Sequence, residues 1–236
     1  MGEVFAININ ESINDSQFQY LLSIITENKR DQVKNFLFLK DAQRTLYGDI
    51  MIRYLACQKL KINNEQLVFF HNEFGKPYLL NSSEFYFNIS HSEDWVICVV
   101  SKKEIGVDIE KIKPIDLGIA KRFFSKNEYE NLLSMPDNMK VNRFFDLWTL
   151  KESYIKYKGT GLSMPLDSFC MSIDDYGIRV ISNDKKHLFF KQYSLDKGYK
   201  LSVCSEENEF SKNIRYLNLK NVIQSLRLQS KSTSTL

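Results

Sequence analysis

The sequence predicts an α+β fold, in which helices and short strands alternate in blocks along the chain. Segments with apolar residues at helical spacing fall at 14–26, 41–60 and 138–158, whereas much of the remaining chain follows the two-residue period of strands. Residues 95–101 are similar to residues 199–205, since each segment is a strand led by an aromatic residue. This similarity between strands late in each part of the chain indicates two related halves.

The composition fits one or two globular domains with a sizeable core. The 236 residues are 43% hydrophobic and 13% aromatic, and a net charge of only +3 indicates neither a nucleic acid nor a membrane partner. The apolar run at 96–100 is far too short to span a bilayer, and the N-terminus has no signal-peptide pattern. We therefore expect a cytoplasmic protein, whose scattered cysteines are core thiols: Cys57, Cys98, Cys170 and Cys204.

The first part of the chain is locally basic. After a strand at 3–10 and a first helix, the helix at 41–60 carries Arg44 and Thr45 near its start, where free backbone N–H groups favour a phosphate. Around it, residues 28–61 hold eight Lys and Arg against three Asp. This excess fits either a polyanionic ligand or a solvated helix face.

Two strand pairs follow. Residues 68–80 predict a hairpin, because a glycine and a proline flank Lys76 and mark a turn. Lys76 is then either a surface charge or a phosphate anchor. Residues 85–92 and 94–101 predict a strand and its return. His91 lies at the end of the first of these strands, as a titratable site residue or simply as a turn cap.

Asp108 and Glu110 share one face of the next strand, with Cβ atoms about 6 to 7 Å apart. If the helix at 138–158 packs beside that strand, Glu152 is a third acid aimed at the same point and Lys156 follows one turn later. Close carboxylates repel one another and favour a bound divalent cation. An all-oxygen site suits Mg²⁺, with Mn²⁺ as the alternative.

Each of these patterns alone has a simpler explanation. An Asp-x-Glu pair is common on exposed strand faces, and Glu152 with Lys156 is the favoured order for a surface ion pair on a helix. Only the combination of the two patterns indicates a metal-dependent site that handles phosphates.

The rest of the chain adds a helix and four strands. Ser125 and Glu128 form a capping box that opens a helix through Leu133. After residue 218 an amphipathic stretch leads into a polar end that is too polar to bury. The predicted strands lie at 169–173, 178–181, 188–193 and 199–205.

The spacing of the acidic motifs resembles a known family. Gly106-Val107-Asp108, followed about forty residues later by the Trp-Thr-x-Lys-Glu-Ser-x-x-Lys pattern at 148–156, resembles the signature of the 4′-phosphopantetheinyl transferases. Glu110 and the length of the chain resemble the surfactin-synthetase-activating branch rather than the short trimeric holo-synthase branch. Further similar motifs lie at 44–49, 75–77, 87–92, 121–125 and 161–167.

The resemblance implies an architecture. It implies two pseudosymmetric α+β halves, each a small antiparallel sheet packed with helices, with the coenzyme A site in the cleft between them. We place the halves at 1–104 and 105–217, and a tail at 218–236 that is disordered at its end. A chain that contains both halves is expected to be a monomer.

The resemblance also implies roles for individual residues. Asp108, Glu110 and Glu152 would hold Mg²⁺ against the pyrophosphate of coenzyme A, and Lys156 would touch the same phosphates. One position departs from the family pattern, because Gln32 stands where a second basic residue is expected after Lys29. The residues that would hold the nucleotide and its 3′-phosphate are Lys29, Arg44, Thr45, Lys76, Ser90 and His91.

The implied reaction moves 4′-phosphopantetheine from coenzyme A to a serine of an apo peptidyl or acyl carrier protein and releases 3′,5′-ADP. Lys156 and His91 would donate to the pyrophosphate, and the base is Glu152, Glu110 or a metal-bound water. The carrier would dock near Phe123, Phe124 and residues 159–190, which are expected to offer exposed apolar and turn residues. Its pathway is expected to be nonribosomal peptide synthesis and antibiotic biosynthesis, although polyketide and fatty acid synthase carriers stay open.

Two other classes of function stay open. A carboxylate-metal nuclease uses a similar set of acids with a lysine, but it needs a broader basic and aromatic face. A non-catalytic coenzyme A binding module would keep the basic residues without needing three acids.

Overall fold

The computed structural model describes residues 1–80 and 82–232, with the side chains of Leu162 and residues 230–232 left out of the description. The described residues form two larger sheets, two two-stranded sheets and two long helices of 22 residues each. The first part contains β1 Glu3–Asn8, α1 Asp15–Ser23, α2 Glu27–Lys34, α3 Leu39–Leu60, β2 Phe69–His71, β3 Pro77–Leu79, β4 Tyr86–Ser92 and β5 Trp95–Ser101. The second contains β6 Ile105–Lys111, α4 Gly118–Phe123, α5 Lys126–Ser134, α6 Asp137–Lys158, β7 Cys170–Asp174, β8 Gly177–Ile181, β9 Phe189–Tyr193, β10 Tyr199–Ser205, β11 Arg215–Tyr216 and α7 Leu219–Ser232.

The two halves follow the same plan. In each, the first strand pairs antiparallel with the last strand, which is central, so the orders are β1-β5-β4 and β6-β10-β9. A long helix and a small two-stranded hairpin lie between the outer strands in the chain. The similar segments at 95–101 and 199–205 are the two central strands. The predicted α+β fold of two related halves with antiparallel sheets is confirmed.

The halves share a core. Apolar residues of β1 and β5 pack in one cluster with Val107 and Ile109 of β6 and Leu201 and Val203 of β10. Each half has its own additional cluster around its long helix. Because β6 buries Val107 and Ile109 in the shared cluster, its alternate residues face α6.

The edges of the two sheets meet through side chains. Strand β4 is the last strand of the first sheet, and β6 is the first strand of the second. The backbone N–H groups of Val107, Ile109 and Lys111 donate to three polar side chains of β4 over 3.0, 3.3 and 3.1 Å. We call these three acceptors, Asn88, Ser90 and Ser92, the β4 seam.

Helix α6 lies directly on β6 at Gly106. A Cβ atom at this position would come within 2.1 Å of the Ser153 carbonyl oxygen and 2.3 Å of the Tyr157 nitrogen. Only glycine permits this approach, which fixes how α6 lies over the acids of β6.

A buried ion pair fastens other segments to α6. The Lys151 ammonium contacts Glu128 at 2.8 Å and donates to the carbonyl oxygens of Leu166 and Phe169 at 2.9 and 2.7 Å. Glu128 also accepts from the Met171 nitrogen at 2.7 Å. With side chains 0% and 2% exposed, the pair is satisfied by hydrogen bonds on both sides.

The predicted helices and strands agree closely with the structure, and two short helices were missed. In α2, only Val33 is buried, so the segment has no apolar period to detect. Helix α4 has six residues, which is below the length at which a period shows. Three of the four cysteines are buried as expected, and Cys170 is half-buried.

The end of the chain returns to the first half. Strand β11 pairs parallel with β1, and α7 buries Leu219, Val222, Ile223 and Leu226 in the first core. The amphipathic stretch after residue 218 is therefore a packed helix. The last four residues, within the segment expected to be disordered, lie outside the described residues. Among the helices that are described, none has the length and apolar character to cross a membrane.

Replacing Gly106 with alanine is expected to destabilise the protein, because backbone atoms of α6 occupy the space of the new methyl group. We expect a loss of at least about 1 to 3 kcal/mol in the free energy of unfolding, measured by urea denaturation. The control is Gly198→Ala, which meets no atom within 4 Å and should change stability by less than about 0.5 kcal/mol. Equal stability of the two variants would contradict the close approach.

Lys151→Met should be still more damaging, because it leaves the Glu128 carboxylate buried without its cation. The expected loss in unfolding free energy is about 3 to 5 kcal/mol. Lys126→Met is the matched control, since Lys126 is 85% exposed and pairs only distantly with Glu130 at 3.9 Å. That variant should lose less than about 1 kcal/mol. A similar small loss for both would show that the buried pair does not stabilise the fold.

Candidate active site

Asp108 is the most enclosed acid of the predicted site. Its Oδ1 accepts from the Lys156 ammonium at 2.6 Å and from the Ser90 hydroxyl at 3.0 Å. Its Oδ2 is buried and has no hydrogen-bond partner. Burial raises the pKa of Asp108, although Lys156 and Ser90 act against that rise. An unpartnered buried carboxylate oxygen is costly, and it marks a place where a further cation or donor would be stabilised.

Glu110 and Glu152 lie close enough to Asp108 for its charge to affect their pKa values. The Ser92 hydroxyl donates to Glu110 at 3.0 Å. Burial raises the pKa of Glu110, and Asp108 raises it further. Burial also raises the pKa of Glu152, where Asp108 and Glu110 add to the effect and Lys156 opposes it. The three acids are therefore electrostatic neighbours on facing elements, β6 and α6.

These contacts argue against the simpler explanations of the acidic residues and of Lys156. Lys156 pairs with Asp108 on the strand, so it is not merely half of a surface pair within its own helix. Asp108 is 3% exposed, so it is not an ordinary acid on a solvated strand face.

The acids do not form a preformed metal cage. Within residues 1–80 and 82–232, no three His, Cys, Asp or Glu side chains are arranged to hold a metal ion. The free Oδ2 of Asp108 and the two neighbouring carboxylates nevertheless provide hard oxygen donors, which are the chemistry that Mg²⁺ selects. By donor type and by this unpartnered atom, the residues fit a divalent cation.

A basic cavity of about 590 Å³ lies between α2, α3 and β4. His91 in its wall is close enough to Lys156 for the charge of that lysine to act on the pKa of the histidine. Four of the residues predicted to hold a nucleotide line it together: Lys29, Arg44, Thr45 and His91. The wall also includes the apolar rings of Phe69 and Phe87 and the helix residue Gly48. The combination of cations and apolar rings suits an anionic ligand with a flat aromatic part.

The cations of this cavity are held in different ways. Arg44 pairs with Asp41 and donates to the Glu93 carbonyl oxygen at 2.6 Å. Lys29 donates to the Gln32 side chain at 3.0 Å, so the residue that departs from the family pattern now orients its neighbour. His91 opens to solvent on one side, but the surrounding protein lowers its pKa, with Lys156 and Arg44 as further causes.

Lys76 is not at this cavity. Its ammonium contacts Glu104 at 2.7 Å and donates to the Tyr157 carbonyl oxygen at 3.0 Å, and its side chain is only 5% exposed. Both options from the sequence, a surface charge and a phosphate anchor, assumed an accessible ammonium. The structure instead uses Lys76 to join the β2–β3 turn to the second half, and burial lowers its pKa.

Ser90 has its hydrogen bonds committed within the protein. Its hydroxyl donates to Asp108 and accepts from the Ile109 nitrogen and from Lys156 at 2.9 Å. A serine hydroxyl offers one donor and two acceptor positions, so all are occupied. The structure therefore places Ser90 behind Asp108 and Lys156, and a direct contact to a nucleotide stays a prediction.

Several site residues were not recognised from the sequence. His71, Phe69 and Phe87 line the basic cavity but read as ordinary strand residues. Ser92 lies within the motif at 87–92 but had no predicted role, although its hydroxyl donates to Glu110. The alternation of Asn88, Ser90 and Ser92 along an otherwise apolar strand is the pattern that could have revealed the β4 seam.

The predicted carrier-docking residues differ in exposure. Phe124 was expected to be an exposed apolar residue, and this is wrong, because it is 3% exposed and stacks on Phe144 with ring centroids 5.1 Å apart. Phe123 is partly buried against Trp148. Within 159–190, Tyr176 and Ile181 are 90% and 62% exposed.

Comparisons with known proteins identify the family of this chain. Residues 12–103 match the family model described as 4′-phosphopantetheinyl transferase, N-terminal, and residues 104–204 match that of the 4′-phosphopantetheinyl transferase superfamily. The chain is 39% identical to 4′-phosphopantetheinyl transferase ffp of Bacillus subtilis and 38% identical to 4′-phosphopantetheinyl transferase Sfp of Bacillus subtilis strain 168. Each match covers 90% of this chain and 96% of the relative.

A third relative extends the match further. The 4′-phosphopantetheinyl transferase psf-1 of Bacillus pumilus is 36% identical over 95% of this chain and 98% of its own. The resemblance drawn from the motifs, including the surfactin-synthetase-activating branch, is thereby confirmed. With both halves matched and relatives aligned over nearly their full length, this chain belongs to the 4′-phosphopantetheinyl transferase family and is an enzyme of that kind.

Proposed function

We propose that this protein transfers the 4′-phosphopantetheine group of coenzyme A to a serine of an apo carrier protein, with Mg²⁺, and releases 3′,5′-ADP. The observation that carries the proposal is a basic cavity whose wall residue His91 is close to Lys156, the lysine that pairs with Asp108 in the group of three acids. Cations suit the phosphates of the nucleotide, whereas the acids suit a metal and a proton acceptor. A nuclease does not account for the nucleotide-sized basic cavity, and a passive binding module does not account for the three acids. Neither alternative fits the family of this chain.

Coenzyme A would lie with its nucleotide in the basic cavity. Lys29 and Arg44 would meet the 3′-phosphate, with Thr45 as a hydroxyl donor and the rings of Phe69 and Phe87 beside the base. His91 stands between this cavity and Lys156, whose charge it senses. The pyrophosphate would then reach the acids, where Lys156 supplies a cation to it.

Asp108, Glu110 and Glu152 would hold the Mg²⁺ ion. The unpartnered Oδ2 of Asp108 supports this assignment, and the Ser90 and Ser92 hydroxyls orient the two strand acids. When bound, the ion would neutralise charge on the pyrophosphate. Mn²⁺ offers similar chemistry with the same oxygen donors.

The transfer step needs a base for the acceptor serine. The serine oxygen forms a bond to the β-phosphorus, and the bond from that phosphorus to the bridging oxygen breaks, so 3′,5′-ADP leaves with the bonding electron pair. Glu152 is our choice to accept the serine proton, because it faces the strand acids from α6. Glu110 is the alternative. Lys156 and His91 stabilise the charge on the leaving phosphate by donating hydrogen bonds.

We expect the protein to act as a monomer in the cytoplasm. The basic cavity of the first half and the acids of the second half belong to one chain, which supports a complete site without a second copy. Carriers of nonribosomal peptide synthesis are the first candidates, and the second half, around Phe123 and 159–190, is the expected docking region.

The direct test is incubation with coenzyme A, MgCl₂ and a panel of apo carrier proteins from peptide, polyketide and fatty acid synthases. Intact mass spectrometry should show one added phosphopantetheine on the carrier, and chromatography should show 3′,5′-ADP. Both signals should be lost in EDTA and return with MgCl₂. Absence of transfer to every carrier would refute the proposed activity, and full transfer in EDTA would refute the metal requirement.

Asp108→Asn should abolish most of the transfer, because it removes the acid that both Lys156 and the Mg²⁺ ion would share. We expect a loss of at least about 100-fold in initial rate, with the MgCl₂ dependence weakened. Asp15→Asn, on the exposed start of α1, is the matched control and should keep the activity. Near-normal turnover by a folded Asp108→Asn protein would exclude the role given to this acid.

A further inference from the structure

Three consecutive apolar side chains lie exposed between α2 and α3. Leu37, Phe38 and Leu39 are 88%, 65% and 68% exposed, and we call them the α3 ridge. The preceding Phe36 packs against the first core and anchors the segment. Single exposed apolar residues are ordinary, but a contiguous group of this size marks an interaction surface.

The α3 ridge also occupies the N-cap position of α3 without capping the helix. Phe38 is the N-cap residue of α3 and makes no side-chain capping hydrogen bond. A serine, threonine, aspartate or asparagine at this position typically stabilises a helix more than an apolar residue does. Phe38 is an apolar residue that is neither buried nor able to cap the helix, and residues that break such preferences typically occur at functional sites.

Two contacts fix the α3 ridge beside the acids. Lys40, the residue after the ridge, pairs with Asp94 at 3.0 Å, and Arg44 donates to the Glu93 carbonyl oxygen. Glu93 and Asp94 form the turn that directly follows β4 and its last seam residue, Ser92, which donates to Glu110. The α3 ridge therefore lies near the end of the β4 seam at which Ser92 holds Glu110.

The segment of the second half that follows β6 begins at the same end of the β4 seam. Strand β6 ends at Lys111, whose backbone nitrogen donates to Ser92. The chain continues through Lys113 to α4, where Ile119 is 36% exposed. Lys34 and Lys40 flank the α3 ridge in the sequence, and Lys113 is close enough to Glu110 for its charge to act on the pKa of that acid. The rim thus fits a partner with an apolar patch bordered by acidic side chains.

We propose that the α3 ridge is a docking surface for the apo carrier protein, so that the first half as well as the second holds this partner. The inference rests on the proposed function, in which coenzyme A takes the basic cavity. The acceptor serine must then arrive from solvent at the acid end, and its protein must rest on the rim there. The α3 ridge is the apolar part of that rim contributed by the first half.

The test is the double variant Leu37→Ser, Phe38→Ser in the full chain. Serine is a favoured N-cap, so the change at position 38 should not weaken α3. With steady-state kinetics, we expect the KM for the carrier to rise at least about tenfold. The KM for coenzyme A should change by less than about twofold, as for other surface substitutions. This separation between two substrates is not expected from a general loss of structure.

The matched control is Leu228→Ser. Leu228 is 62% exposed on α7, which contacts the far end of α3 through Ser225 and Gln58 at 3.1 Å. This variant should keep both KM values. An unchanged carrier KM in the double variant would overturn the inference while leaving the proposed function intact.

Other occupants give distinguishable results. If light scattering finds a dimer that the double variant abolishes with an unchanged carrier KM, the α3 ridge is a self-association face and the inference is wrong. If the unaltered protein binds phosphatidylglycerol vesicles, and the double variant loses that binding but keeps its carrier KM, the inference also fails. If the unaltered protein modifies no carrier, the proposed function itself fails, and this inference with it.

Discussion

The site depends on how the two sheets meet at the β4 seam. Strand β6 presents N–H groups toward β4, and buried N–H groups need acceptors. Side-chain oxygens supply them here, which keeps the strands farther apart than a main-chain ladder would. The same hydroxyls of Ser90 and Ser92 donate to Asp108 and Glu110. One set of bonds therefore joins the halves and aims the acids, so the site forms only when both halves are packed.

Because the two halves share one plan, corresponding positions in their strands can be compared. Asn8 pairs with Trp95 in the first sheet as Lys111 pairs with Tyr199 in the second. Counting back along the strands, Phe5 occupies the position that corresponds to Asp108. Phe5 packs in the apolar core, whereas Asp108 faces α6 and Lys156. A duplicated architecture thus carries a single acid cluster, and the first half has specialised in the basic cavity.

Sequence reasoning predicted the periodic parts of this molecule well, because periods of helices and strands are local. It also placed Asp108, Glu110 and Glu152 as neighbours, since strand alternation and helix spacing fix their faces. It could not see that Lys76 is buried or that Phe124 stacks in the core, because both depend on what packs over them. The hydrogen bonds of the Ser90 hydroxyl likewise depend on β6, which lies about twenty residues later in the sequence.

The charges of the cleft complete the argument. Lys156 pairs with Asp108 and acts to lower the pKa of all three acids. Burial raises the pKa of each acid, and the charge of Asp108 raises the pKa of Glu110 and Glu152 further. Such a cluster is stabilised by added positive charge, whereas the cavity lined by Lys29 and Arg44 is stabilised by added negative charge. A ligand that brings phosphates to the cations and a divalent ion to the acids would satisfy both sides at once. We therefore propose that both charge patterns serve one ligand, a nucleotide diphosphate that carries a divalent ion, rather than two independent ones.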